Sequence, residues 1–357
     1  MPRLDKSGAP RVTMSDVANL AQCSQSTVSV VLNPDSSARI SRDTRERILA
    51  AAKTLGYSIE RTPQMPAPGL ARRIAVVYDD VTIYPEAVVA IDGVREFAWQ
   101  SGDIVCTYDL HADPAMEERT FDAILRGNPA AIIYVTVRTR EVEVPRALYD
   151  ADVPVVLVNC YASDRAFPAV IAGDLAAAHR ATDLMIAAGH TRIAHICGES
   201  WQDVAIDRLQ GYRQALATAD IPFDPELVSE GNWQPSGGYH ATRKLLQLRV
   251  PPTAIFCAND RMALGCYDAL KEQGLRIPQD VSVVGFDDDD LASHLIPRLT
   301  TFLFPRRRMG AWAAERALSS RHRRHDAHRA VKIECELLER DSVAPPPANT
   351  DSSSSRR

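Results

Sequence analysis

The stretch Val12-Thr13-Met14-Ser15-Asp16-Val17-Ala18-Asn19-Leu20-Ala21-Gln22-Cys23-Ser24-Gln25-Ser26-Thr27-Val28-Ser29-Val30-Val31-Leu32-Asn33 decides how the chain begins. Val12, Val17, Leu20 and Ala21 recur at helical spacing, and Thr13 or Ser15 can cap the helix start by accepting an orphan backbone N–H. After a break at Gln22-Cys23-Ser24, Val28, Val31 and Leu32 form the inward face of a second helix whose Gln25, Ser26 and Ser29 point outward. Asn33-Pro34 ends it, because proline cannot continue the hydrogen-bond ladder. A third helix is predicted from Arg42 to Leu55, capped by Ser41, with Ile48, Ala51, Ala52 and Leu55 inward and Gly56 as its stop. Three short helices so spaced predict a helix-turn-helix domain over residues 1–57.

Working outward, residues 58–73 hold Pro63, Pro66, Pro68 and Gly69 with almost no apolar periodicity, the composition of a linker. Beyond it, short apolar strands (74–78, 132–135, 155–158, 193–196, 254–257, 281–284) alternate with helical segments (87–100, 174–188, 208–219, 237–246, 261–273). This alternation predicts parallel sheets wound by right-handed crossovers. Six such units are too many for one comfortable sheet, so the expected core is two α/β lobes with a cleft between them. The basic run 321–329 falls between a helix and a last strand (330–338) and reads as a solvated loop; residues 344–357, rich in Pro and Ser, read as a disordered tail.

At 357 residues the chain is too long for one ordinary domain, and 45% hydrophobic with 24% charged residues is ordinary for a soluble protein. Its net charge of −5 hides an asymmetry: residues 1–61 hold nine Lys/Arg against six Asp/Glu, which leaves −8 for the remainder. A basic head on an acidic body suits a protein whose head alone meets phosphate. Seven scattered cysteines without a CxxC pair read as buried free thiols. No stretch reaches the ~18 apolar residues of a membrane span and the polar start lacks a secretory core, so the cytoplasm is the expected compartment. An α/β enzyme is the main rival from another class, yet GxGxxG, GxSxG and P-loop fingerprints are missing from the sequence. His195, inside a strand, reads as a core histidine. The acidic run 287–290 cannot converge on one ion, and no metal or cofactor is assigned.

Two sets of motifs resemble the lactose-repressor (LacI) family of bacterial regulators. In the head they are Val12 to Ala18, Ser24 to Asn33, Ser41 to Arg45 and Leu55-Gly56-Tyr57. In the body they are Gly189 to Ala194, Arg208-Leu209-Gln210-Gly211-Tyr212, Pro252 to Gly265 and Asp280 to Asp288. The resemblance runs over about residues 12–343 and lies in the collinear order of the motifs. It implies a three-helix helix-turn-helix domain, a hinge at 58–73, and a dimerising core at 74–343 of two doubly wound lobes similar to periplasmic sugar-binding proteins. Lobe 1 is expected at about 74–167 and 302–325, lobe 2 at about 168–301 and 326–343.

The same resemblance implies a palindromic double-stranded DNA operator, a homodimer, no membrane partner, and a small-molecule effector that by default relieves repression. Gln25, Ser26 and Val30 fall at base-reading positions; Thr13, Ser24, Thr27, Ser29, Asn33, Arg39, Ser41 and Thr44 suit the DNA backbone. Relatives place Arg where this chain has Val30, which can offer only apolar contact, for example to a thymine methyl. Relatives also fold the hinge into a helix that wedges a Leu into the minor groove. Pro63 and Pro66 argue against that helix here, with Met65 the one plausible wedge. Arg208, Asn259 and Asp287 fall where relatives hold effector hydroxyls, with Asn159 at another contact and Trp233 where an aromatic covers a sugar face. Asp79, Tyr84 and Trp201 are rim candidates. Asn259-Asp260 could equally be a helix cap, with Asp260 the capping residue, and Trp233 could be core. These residues favour a sugar or polyol over a nucleobase.

Overall fold

The computed structural model describes residues 14–32, 40–55, 71–79, 88–111, 113–319 and 329–347. The chain divides into two compact units, residues 1–68 and 69–357. In the first, α1 (Met14–Leu20), α2 (Gln25–Leu32) and α3 (Arg42–Thr54) enclose a small core of Val17, Ala18, Ala21, Val28, Val31, Ile48, Ala51 and Ala52. Of the predicted inward residues, Val17, Ala21, Val28, Val31, Ile48, Ala51 and Ala52 are buried and Leu55 packs against them, whereas Leu20 is half exposed while Ala18 takes the buried place; Val12 lies outside the described residues. Ser41 caps α3 as expected: its Oγ accepts the Thr44 N–H at 3.3 Å. Thr13, Asn33, Arg39, the linker residues 56–70 with Met65, and the basic run 321–328 lie outside the described residues.

The second unit opens with β1 (Arg73–Tyr78), α4 (Val89–Gln100), β2 (Ile104–Asp109), α5 (Pro114–Arg126), β3 (Ala131–Glu141), α6 (Arg146–Tyr149), β4 (Val155–Tyr161) and β5 (Ala169–Ala172). It continues with α7 (Asp174–Ala187), β6 (Ile193–Cys197), α8 (Asp203–Thr218), β7 (Val228–Glu230), α9 (Pro235–Leu246), β8 (Ala254–Cys257), α10 (Asp260–Glu272), β9 (Ser282–Val284) and α11 (Asp290–His294). The chain then closes through β10 (Thr301–Leu303), α12 (Arg306–Leu318), β11 (Val331–Ile333) and β12 (Glu336–Leu338).

Two parallel sheets result, in the orders β11-β5-β4-β3-β1-β2 and β7-β6-β8-β9. Helices cover both faces of such sheets, so their strands read as unbroken apolar runs rather than as alternation. Ile74 to Tyr78 and Ala254 to Cys257 are all buried. The helix pairs α4–α12, α7–α8 and α9–α10 approach closely at glycines. A Cβ at Gly265 would overlap the Pro235 carbonyl, and one at Gly238 the Met262 carbonyl, so larger residues there would force α9 and α10 apart.

The lobes differ from the expected division. β5 and β11, assigned to lobe 2 in the sequence reading, pair parallel with each other and extend the first sheet, which therefore reaches residue 172 and returns through residue 333. The expected last strand is broken: β11 belongs to the first sheet, whereas β12 pairs antiparallel with β10. The chain crosses between lobes at Gly173, at β10 and at Glu334-Cys335, and the Gly173 N–H bonds the Ile333 carbonyl at 2.8 Å. The start of the supposed disordered tail is also held. Ala344 accepts hydrogen bonds from His190 Nε2 at 2.9 Å and Ser282 Oγ at 3.0 Å. Residues 344–347 therefore run as a strap along the second lobe, fixed at the Ala344 carbonyl and with Pro346 beside Gly189.

Candidate functional site

In an open parallel sheet ligands bind outside the carboxyl ends of the strands, where the strand order reverses. Here those points lie between β1 and β3 in one lobe and between β6 and β8 in the other. The carboxyl ends of both sheets line a narrow cleft, the setting in which such folds hold small molecules. Its walls are Val137, Arg138, Thr139, Asn159, Phe304 and Arg306 from the first lobe, and Val204, Arg208, Trp233, Asn259 and Asp287 from the second.

Arg208 is the buried centre of this cleft. Its Nε and Nη2 both donate to Asp174 Oδ1, at 2.9 and 2.7 Å, Nη1 donates to the Ala258 carbonyl, and the guanidinium lies 3.6 Å over the Phe286 ring. The carboxylate partner that a buried Arg requires is thus Asp174, at the start of α7, with Asp287 Oδ1 farther off at 3.8 Å. Burial foremost, and Asp287 beside it, push the carboxyl of Asp260 well above the usual range. Asp260 accepts the Thr301 hydroxyl at 2.6 Å and the Asp289 N–H at 2.8 Å, bracing the loop that carries Asp287.

Three lining residues, Asn159, Trp233 and Asp287, have positive φ of 61°, 60° and 111°. Side chains rarely adopt this backbone, and it persists only where the surroundings fix it. Asn159 fixes a bulge in β3: its Nδ2 donates to the Thr136 and Val137 carbonyls and its Oδ1 accepts the Thr139 hydroxyl at 2.7 Å. That bulge turns Val137, Arg138 and Thr139 into the cleft. Asn259, not Asp260, is the α10 cap: its Oδ1 accepts the Met262 N–H at 2.9 Å while its Nδ2 donates to the Trp233 carbonyl at 3.1 Å. Trp233 is both core and wall. It is 5% exposed, packs where a Cβ on Gly198 would collide with its ring, and its Nε1 has no partner among the described residues.

The cleft's rim is bridged. Asp203, opening α8 in the second lobe, accepts the Tyr161 hydroxyl at 2.8 Å and the Glu141 N–H at 3.0 Å, both from the first lobe. The rim candidates fare differently. Asp79 receives the Val137 N–H at 3.2 Å and pairs with Arg140 at 2.8 Å, so it supports the bulge from behind rather than lining the cleft. Trp201, 72% exposed, lies on a separate open groove with Glu199, His240 and Lys244. Tyr84 lies outside the described residues. Asp174, Arg138, Phe304 and Arg306 escaped the sequence reading. A signal for Asp174 existed, an acid opening an Ala-rich helix while Arg208 lacked a partner; the bulge that presents Arg138 leaves none.

In the head, Ser24 is the cap of α2: its Oγ accepts the Thr27 N–H at 3.1 Å and lies 2.7 Å from the Thr27 hydroxyl. Gln25 is exposed, and Ser26, Ser29 and Val30 lie within α2. Ser41 and Thr44 share the corresponding place on α3, their hydroxyls 2.8 Å apart. Capping and phosphate contact are compatible, since each hydroxyl retains further hydrogen-bonding capacity. Among the described residues no group of His, Cys, Asp and Glu could hold a metal, and no helix is long and apolar enough to cross a membrane.

Comparison with known proteins places these two sites in context. Residues 13–59 match the family described as bacterial regulatory proteins, lacI family, and residues 182–343 match the periplasmic binding protein-like domain. The transcriptional repressor CytR of Escherichia coli K12 is 34% identical over 336 residues, covering 93% of this chain and 96% of that protein. The PurR repressor of Vibrio cholerae is 30% identical over 341 residues, covering 93% and 98%. Among solved structures, a CelR regulator–cellobiose complex matches with a TM-score of 0.65 at 28% identity, covering 93% of this chain and 100% of that one. The lac repressor dimer bound to operator and the anti-inducer ONPF matches with a TM-score of 0.63 at 27% identity, covering 93% and 99%.

Proposed function

The chain belongs to the lacI family of bacterial regulatory proteins, and we propose that it is a transcriptional repressor that binds a palindromic operator as a homodimer and releases it when a small sugar-like effector enters the cleft. One observation carries this reading: a capped helix-turn-helix and a cleft built at the switch points of two parallel sheets lie in a single chain.

On the operator, α2 enters the major groove. Gln25, at its exposed start, is suited to adenine N6 and N7, while Val30 offers apolar contact to a thymine methyl and cannot pair with guanine as an arginine would. Ser24, Ser26, Thr27, Ser29, Ser41 and Thr44, with Thr13, Asn33 and Arg39, complete the DNA contacts. Met65 is the minor-groove wedge of a hinge that Pro63 and Pro66 keep from forming a regular helix. In the cleft, Asp287 accepts ligand hydroxyls, Asn259 and Asn159 contribute their remaining amide capacity, Arg208 holds the wall in place, and Trp233 presents its ring to a sugar face. Cellobiose in the CelR complex supports a sugar-like ligand. Effector binding shifts the lobes and thereby the spacing of two heads, a coupling of about 1 to 3 kcal/mol.

The test is a mobility-shift series on promoter fragments with candidate sugars added. Retention by a palindrome, weakened by Gln25→Ala and relieved by a sugar in the wild type but not in Asp287→Ala, is expected. Failure to retain any palindromic site would overturn the reading.

A further inference from the structure

Resting on the effector-cleft reading, we propose that the ligand is anionic: a sugar-like molecule carrying a carboxylate or phosphate, which Arg306 receives with Arg138 beside it. Arg306, Arg138 and Arg208 all line the cleft, with Asp287 on the second lobe's wall facing Arg306 and Asp174 directly behind Arg208. Arg208 is saturated by Asp174 and the Ala258 carbonyl, so it is not the ligand's donor.

Arg306 is placed differently. Its side chain is 16% exposed, its carboxylate neighbour Asp287 Oδ1 is 3.9 Å away, and it lies 4.4 Å over the Phe304 ring. Its guanidinium makes no hydrogen bond among the described residues. A fork of donors, stacked on a ring and open to the cleft, fits a carboxylate or phosphate bidentately. Its position on the helix strengthens the case. Arg306, Arg307 and Arg308 fill the first turn of α12, where no acid is present and Pro305 supplies no side-chain cap. Cations are disfavoured at a helix N-terminus, whose free N–H groups attract anions. Arg307 is balanced by Glu96, but Arg306 faces the cleft, and an anion seated there would satisfy both the fork and the helix end.

The test uses the full chain and two probes, methyl phosphate and acetate, each titrated to tens of millimolar against chloride at constant ionic strength. A thermal-unfolding shift then reads binding. One or both probes should raise the midpoint over chloride; the probe that acts identifies the phosphate or carboxylate class. Arg306→Gln should abolish the increment, Arg306→Lys should restore part of it, and Arg307→Gln, which removes the same charge outside the cleft, should leave it intact. For charge-assisted bonds the expected loss of affinity in Arg306→Gln is tenfold or more. No increment with either probe in the wild type, or an equal increment in Arg306→Gln, would overturn the inference. Operator release by sugar acids, sugar phosphates and neutral sugars, measured on wild type and Asp287→Ala, reports separately on the effector-cleft reading: release by any of them in the wild type alone supports that reading, and release by neutral sugars only overturns the anionic ligand.

Discussion

Replacing Asp174 by Asn removes the counter-charge of a guanidinium that has almost no contact with water. The two side chains are 1% and 2% exposed, and Asp174 Oδ1 receives two N–H donors at 2.9 and 2.7 Å. At an effective dielectric near 20, charges about 3 Å apart attract by roughly 5 kcal/mol, and stripping one partner from such a buried pair costs about 3 to 5 kcal/mol. Asp287, 3.8 Å from Nη2, remains and softens the loss, so the lower end of that range is expected. For a core of this size each kcal/mol lowers the melting temperature by about 2–4 °C, giving a drop of roughly 6–12 °C. The double variant Asp174→Asn, Arg208→Met has no buried charge left to compensate and should recover much of that stability, although the single Arg208→Met leaves Asp174 buried and alone. Near-UV circular dichroism during urea and thermal unfolding measures both. The reasoning fails if Asp174→Asn lies within about 1 kcal/mol of the wild type, or if the double variant loses the sum of the two single losses.

The imidazole of His195, fully buried, bonds the Phe256 carbonyl through Nδ1 and is held by burial at about 4, below its ordinary 6.5. The unfolded chain therefore takes up the proton first, so stability should be complete above about pH 6.5 and fall as pH drops toward 4; His195→Gln should flatten that slope in urea titrations. Gly265→Ala puts a methyl against the Pro235 carbonyl and should cost about 1 to 3 kcal/mol by overpacking, read as a lower urea midpoint with an unchanged slope. Tyr161→Phe removes one of the two bonds to Asp203 across the cleft rim, so hydrogen exchange at the Glu141 amide should accelerate while amides of β8 keep their protection.

Much of this architecture is legible in the sequence because its strongest elements announce themselves locally. Val28 and Val31 set the face of α2, and runs such as Ile74 to Tyr78 are what a strand covered on both sides must be. Helix starts are less visible: α8 begins at Asp203, well before the Arg208 that opens the predicted segment, and Val204 and Ala205 of its first turn are already buried. β5 and β11 are short; β5 joins the first sheet beside the neighbouring β4, but β11 joins it only by pairing with β5 across about 160 residues of chain, which periodicity cannot register. In the cleft, Arg208, Asn259, Asp287, Asn159 and Trp233 come together as their positions imply. The Asn259 side chain turned out to be the helix cap because Asp260 is turned inward onto Thr301. Trp201 was misplaced because an aromatic following a strand looks the same whether its loop leans toward the cleft or away from it. Arg138 was hidden by a bulge that Asn159 imposes from another strand, an effect with no local trace.

The three crossings between lobes have a consequence for synthesis. All four strands of the second sheet, with α7 to α11, are encoded between residues 174 and 294. The first lobe starts at residue 73 yet lacks α12, which packs on α4, and its edge strand β11 until residue 333 has left the ribosome. The sheet that is translated second thus has all its strands first, and only residues 342–344, which bond Val283 and Ser282 of β9, reach it later. The opening segment must wait with one flank of its sheet bare, so a chain stalled near residue 300 would hold every strand of the second sheet but not of the first.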